Sequence, residues 1–185
     1  MKPFLILIEQ IFPVITAENE ISTDEEEIRQ MAKIGSQKGL IEADEAAMIF
    51  KVFQLNDLKA KDLMIPRVSA PCLDGSSNLD EISKLIMSDN SPWWVILGDK
   101  VDKIQGVVKR EKMLSELING ENKKLLSEIC EPVDYIPEMI KADQLLTRFD
   151  NNHKGVKVVV DEFGGFVGIV GAEAVLSVLA GWWKK

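Results

Sequence analysis

The stretch that most restricts this chain runs from Val156 to Gly181, VKVVVDEFGGFVGIVGAEAVLSVLAG. Val156 to Val160 is β-branched almost throughout and reads as a strand. Asp161-Glu162-Phe163-Gly164-Gly165 reads as a hairpin turn, because paired glycines supply the positive φ of a tight reversal. A second strand, Phe166 to Val170, returns and runs into a helix expected over Ala172 to Leu179. Gly181 suits the left-handed residue that ends such a helix. The strand-to-helix corner at Gly171 gathers free N–H groups and the positive end of a helix dipole, which suits an anion.

The same order occurs once earlier. Leu58 to Met64 is a short helix that must stop before Pro66. Val68 to Leu73 is extended, and Asp74 to Asn78 is turn chemistry followed by a cap. Leu79, Ile82, Leu85 and Ile86 mark a helical stripe. Trp93 to Leu97 and Ile104 to Val108 are strands, and Lys109 to Ile118 is a helix. In the second half Leu125 to Ile129 is the short helix, Pro132 stands where Pro66 stood, and Val133 to Ile136 is extended. Ala142 to Asn152 is the helix, with Leu145, Leu146 and Phe149 inward. Two such copies predict two similar subdomains facing each other, since a solenoid needs about three repeats. The expected organisation is an apolar segment over 1–21, a helical lead-in over 22–57, repeats over 58–120 and 121–182, and a tail over 183–185.

The lead-in carries an expected capping box, Thr23 with Glu26, ahead of the stripe Ile28, Met31, Ala32 and Ile34. Gly35 to Gly39 is expected to end that helix. A second helix, Ala43 to Leu55, is expected to bury Ala46, Ala47, Met48, Ile49, Val52 and Phe53. Pro3 to Thr16 is apolar but broken by Glu9, Gln10 and Pro13. It is too short to span a bilayer and reads as an amphipathic helix on a membrane or partner surface.

Charge and residue types exclude several functions. A formal net charge of −8 and an isoelectric point near 4.8 argue against nucleic acid, which needs a basic face. Cys72 and Cys130 lie far apart, and a single His, His153, completes a poor set for zinc. Two free thiols are the simplest reading. His153 reads as a solvated helix end. No Ser/His/Asp set, HExxH or phosphate loop is present, so an enzyme is not expected. Asp161 and Glu162 suit a turn or a contact across a dimer. Of Trp93 and Trp94, strand alternation sends one inward and one outward, the outward one as a cleft wall or interface residue. Trp182-Trp183-Lys184-Lys185 reads as an end packed on a partner.

Several motifs together resemble a CBS-domain pair, and more closely that of the CorC/CNNM magnesium and cobalt efflux family. They are Ile41-Glu42-Ala43-Asp44-Glu45, Val52-Phe53-Gln54-Leu55, Asp62-Leu63-Met64-Ile65-Pro66-Arg67, Ile104-Gln105-Gly106-Val107-Val108, and Val158-Val159-Val160-Asp161-Glu162-Phe163-Gly164-Gly165 with Gly168-Ile169-Val170. The resemblance implies an α+β fold: two βαββα repeats about a pseudo-twofold axis, preceded by helices. It also implies a cleft between the repeats for an adenine nucleotide, commonly ATP with Mg2+. The second-repeat cleft would use Ile65, Pro66, Arg67, Gly168, Ile169, Val170, Gly171 and Ala174. The first-repeat cleft would use Trp93, Lys109 and Lys112. The sequence departs from the family at Gly171, where Thr is usual, at Ala174, where Asp binds ribose, and at Ile65, where Thr precedes Pro66. Lys109 and Lys112 hold the matching places of the first repeat.

Two readings stay open. One is a regulatory module at the inner face of the plasma membrane that binds an adenine nucleotide and acts on a membrane transport domain, in cis or in trans. The other is a degenerate pair without a nucleotide, serving as a dimerisation or interaction domain. Either implies a homodimer through the CBS helices, for which Val175, Val178 and Leu179 are the expected contact residues.

Overall fold

The computed structural model describes residues 24–98, 103–149 and 155–181. The readings on Pro3 to Thr16, Thr23, His153 and Trp182 to Lys185 fall outside them. By its contacts the chain divides into an N-terminal unit ending at Ala46 and a larger unit from Ala47 onward.

In the first unit, α1 spans Glu25–Gln37. Its N-cap is Asp24, whose Oδ1 accepts from the Glu27 amide at 2.9 Å. The helix passes through Gly35 and ends before Gly39, which has φ +69°. A helical glycine costs about 1 kcal/mol but does not by itself break a helix. Of the expected stripe only Ala32 is buried; Ile28, Met31 and Ile34 are exposed. The next helix, α2, spans Ala43–Asp57. Ala46 and Leu55 are buried, whereas Ala47, Met48 and Val52 are exposed, against expectation. Apolar residues occur around most of this helix, so no single stripe marks its buried side.

The larger unit is the duplicated part. Its first repeat consists of α3 (Ala60–Leu63), β1 (Ile65–Pro66), β2 (Cys72–Asp74), α4 (Leu79–Ser88), β3 (Trp93–Leu97), β4 (Ile104–Lys109) and α5 (Arg110–Ile118). The second has α6 (Leu126–Ile129), β5 (Tyr135–Pro137), α7 (Ala142–Phe149), β6 (Val156–Val160), β7 (Phe166–Gly171) and α8 (Ala172–Ala180). One sheet has the order β2-β3-β4 and the other β1-β7-β6-β5. In each, a parallel pair lies beside an antiparallel one, as at β2·β3 and β3·β4.

The repeats exchange backbone. Ile65 and Pro66 of the first pair with Ile169 and Gly168 of the second. Reciprocally, Glu131 of the second pairs with Val107 of the first, through amide–carbonyl bonds of 2.9 and 2.8 Å. Two glycines permit these approaches. A Cβ on Gly168 would run into the Ile65 carbonyl, and one on Gly106 into the Glu131 carbonyl. Ile65 over Gly168 thus matches Glu131 over Gly106, and Pro66 and Pro132, the residues that follow them, are equivalent under the pseudo-twofold.

Three apolar clusters result. Leu79, Ile82, Ile86, Trp94, Ile96 and Met113 form the core under the first repeat's helices. Ile136, Leu145, Val159, Val170, Val175 and Val178 form that of the second. Between the sheets lie Trp93, Val95, Val107, Val156, Val158, Phe166 and Ile169. This middle layer explains two corrections. Trp93 and Trp94 are both buried, because β3 is covered on both faces and neither ring points to solvent. Val175 and Val178 are 0% and 2% exposed, so they face their own core and not a partner; Leu176, at 52%, is a large apolar residue of α8 that is exposed. Leu85 likewise lies outside its helix's buried face, which uses Leu79, Ile82 and Ile86. The hairpin at 161–165 forms as expected. Asp161 Oδ1 accepts from the Phe163 and Gly165 amides at 2.9 and 2.7 Å, and Gly164 has φ +81°.

Candidate functional site

The exchange places each strand-to-helix corner beside the borrowed strand of the other repeat. At the second-repeat corner, β7 ends at Gly171, the N-cap of α8, which has no side-chain cap bond. Ile65, Ile169, Gly171 and Glu173 meet Pro71, Ser91, Pro92, Trp93 and Val156 there. The free space they enclose is about 40 Å³, against roughly 300–1,000 Å³ for a pocket that holds a small organic ligand.

Two side chains account for the narrowness. Trp93 is buried in the inter-sheet layer, and its indole lies against Gly155, where an added Cβ would come within 3.3 Å of Nε1. Glu173 folds back over the helix start, so that a Cβ on Gly171 would collide with its carboxylate. The chain's own anion therefore occupies the place where the helix dipole favours negative charge. Nearby, Pro66 is exposed in the borrowed strand. Arg67 is tied to β7: its amide donates to the Val167 carbonyl at 2.8 Å, its guanidinium donates to the Phe166 carbonyl at 3.4 Å, and its Cζ lies 5.8 Å from the Phe166 ring centroid. Gly168 and Val170 are buried in β7. Ala174 lies on α8, where it packs against the second repeat's core.

The first-repeat corner is built differently. Lys109 is the N-cap of α5, and its ammonium stands 5.1 Å from the Trp93 ring centroid. With Asn90, Pro92, Arg110, Glu111 and Gly155, these two line a hollow of about 390 Å³. Lys112 does not join them; it turns to Glu131, Nζ to Oε1 3.3 Å. Arg110 is held by its Nε donating to the Ile86 carbonyl at 2.8 Å. The approach to both corners is fixed by Asp89, whose Oδ1 accepts from the Ser91 amide at 2.7 Å. That hydrogen bonding holds the Asp89 carboxyl below the usual carboxylate range. No cluster of His, Cys, Asp and Glu among the described residues could hold a metal ion. Burial raises both thiols, Cys72 and Cys130, above the ordinary range.

Comparison with known proteins supplies the family. A model described as the CBS domain matches residues 126–181. The UPF0053 protein sll1254 of Synechocystis sp. is 39% identical over 97% of this chain, which spans 52% of that protein. The magnesium and cobalt efflux protein CorC of Vibrio cholerae is 25% identical over 85% of this chain, which spans 54% of it. Among solved structures, the CBS domain of a bacterial CNNM/CorC family Mg2+ transporter superposes with a TM-score of 0.76 at 25% identity, covering 88% of this chain and 99% of that one. This chain carries a CBS-domain pair of the CorC/CNNM family. The CBS domain of a bacterial CNNM/CorC family Mg2+ transporter solved in complex with ATP matches with a TM-score of 0.69 at 26% identity, over 74% of this chain and 97% of that one. The chain spans about half the length of the curated relatives named here.

The second corner of this CBS pair is confined. The space is about a tenth of a ligand pocket, Gly171 offers no hydroxyl, Ala174 offers no acceptor for ribose, and Glu173 presents like charge to a phosphate. Sequence reasoning assigned Trp93 to the first-repeat cleft; the structure sets it between the two corners, lining both hollows. It missed Glu173 and Glu131. The signal for Glu173 was present, since a carboxylate two residues after a bare glycine at a helix start has nothing to keep it out.

Proposed function

We propose that this chain is the regulatory CBS pair of a CorC/CNNM-like Mg2+/Co2+ transport system, and that it acts through the arrangement of paired copies without ATP in its second-repeat corner. The observation that carries the reading is the corner around Ile65, Trp93, Ile169 and Gly171, with about 40 Å³ free. Two lost hydrogen bonds, to phosphate and to ribose, would cost roughly 3–6 kcal/mol together, two to four decades of affinity.

A paired arrangement has support in the helix surfaces. Exposed Leu176 stands between two apolar troughs. One of about 710 Å³ is lined by Ala174, Ser177 and Ala180; one of about 460 Å³ is lined by Leu146, Phe149 and Ala172. A knob beside a hollow on one surface suits a two-fold contact, in which each copy inserts what the other receives. The names of the same relatives support a membrane transport domain as the partner, in cis or in trans, and with it a place at the inner face of the membrane; no described helix is long and apolar enough to cross a bilayer itself.

Calorimetric titration with ATP and Mg2+ tests the nucleotide part. The expected result is no saturable heat below about 1 mM; micromolar binding abolished by Gly171→Val would overturn it. Sedimentation tests the pairing: a dimer that Leu176→Asp converts to monomer is expected, and a monomer at high micromolar concentration would reject it.

A further inference from the structure

The helix that carries the pairing surface has a second attachment. From Ala47 onward α2 belongs to the same unit as α8. Leu55 of α2, and Leu58 just past its end, share the second repeat's core with Val175 and Val178 of α8. Lys51 lies one turn before Leu55 on the same side of α2, since residues i and i+4 stack along a helix. Its ammonium reaches the end of α8: a Cβ on Gly181 would stand 2.7 Å from Lys51 Nζ and 2.8 Å from its Cε.

That end favours a cation. Gly181 is the left-handed C-cap of α8, with φ +78°. The last carbonyls of a helix have no intrahelical donor and carry the negative end of its dipole. α8 has no basic residue in its own last turn. Lys51 supplies from another helix what α8 lacks, and Gly181 leaves room for it. The first repeat has no such arrangement. α5 also ends without a basic residue, but a Cβ on Gly120, next to its C-cap Asn119, would meet nothing within 4 Å. The contact is a property of the second repeat, whose helix carries exposed Leu176.

We propose that Lys51 fastens the lead-in helix α2 to the C-terminal end of α8, so that the pairing of two copies is passed on to α2; this second part rests on the two-fold contact through Leu176. The element with two states is the end of α8, because helix ends fray. A partner seated on Leu176 holds that end wound, and the dipole end that attracts Lys51 exists only while it is wound. The linkage runs both ways: a fastened α2 favours pairing as much as pairing favours fastening.

Hydrogen exchange of the full chain, read by mass spectrometry where sedimentation shows the dimer, tests this. Lys51→Met keeps the apolar stem and removes the charge. It should speed exchange about two- to fivefold in residues 47–57 and 177–181. Lys51→Arg should keep the parent rates, as should Lys33→Met, an equal charge change on exposed α1. Leu176→Asp should speed exchange in residues 47–57 at least about twofold, and should add nothing there in the Lys51→Met background. Parent rates in Lys51→Met would overturn the fastening, whatever the oligomeric state. Residues 47–57 indifferent to Leu176→Asp, in a chain that sediments as a dimer, would overturn the transmission. A chain that sediments as a monomer would reject the two-fold contact and the transmission with it, while Lys51→Met still decides the fastening.

Discussion

Trp94 and Lys157, paired across their strands with Val108 and Val170, occupy one position in two copies of the same unit, and the copies treat it in opposite ways. The indole donates its N–H to the Ser91 carbonyl at 3.1 Å and closes the core. The lysine is buried and pairs with Asp134. The corners diverge similarly: Lys109 stands over an aromatic face where the other repeat has bare Gly171 under a carboxylate. The backbone has not diverged. Ile65 on β7 and Glu131 on β4 make the same exchange over the same glycine. Duplication has preserved what the main chain needs and released what the side chains do, so binding chemistry must be sought separately in each half.

The largest test of that contrast is Trp94→Ala. A core cavity of that size should cost about 4 kcal/mol, whereas Lys157→Met should stay within about 1 kcal/mol, because Asp134 is half exposed and regains water. Urea denaturation of both variants decides, and equal losses would break the comparison. Next come the exchange glycines. Gly106→Val and Gly168→Val should each cost about 3 kcal/mol by driving a side chain into a carbonyl, and the two losses should match within about 1 kcal/mol; a tolerated substitution in either half would show that its exchange is dispensable. The smallest effect concerns Asp89, whose carboxyl is held low by Ser91. With the folded value depressed, its contribution is complete above the unfolded value of about 3.9 and is lost as pH falls through the folded one. Asp89→Asn should therefore alter stability at pH 7 and show no difference from the parent once both are well below that window. An NMR titration of Asp89 with a midpoint above about 4 would contradict the assignment.

Much of this architecture could be read from residue types. The β-branched runs, the Gly164-Gly165 turn, Pro66, Pro132 and Gly181 mark local structure, and local structure repeated twice implies a pseudo-symmetric pair. Side-chain direction was less legible. Val175, Val178 and Leu179 are apolar like their neighbours on α8, where the sequence has little polar contrast to tell the buried side from the exposed one. Strand alternation separates Trp93 from Trp94, and Trp93 does line the hollows, but alternation alone does not reveal that a second sheet covers its face and leaves it buried. The Glu131–Val107 bridge is a backbone contact between distant residues with no side-chain signature. Glu173 lies over Gly171 because of what the glycine lacks, which a search for ligands by residue type passes over.

The reciprocal loan of Ile65 and Glu131 has a mechanical consequence. Turning one half against the other would unzip two backbone pairings at once, each buttressed by a glycine contact with no slack. The two repeats are therefore clamped into one stiff plate, with little left to hinge between them.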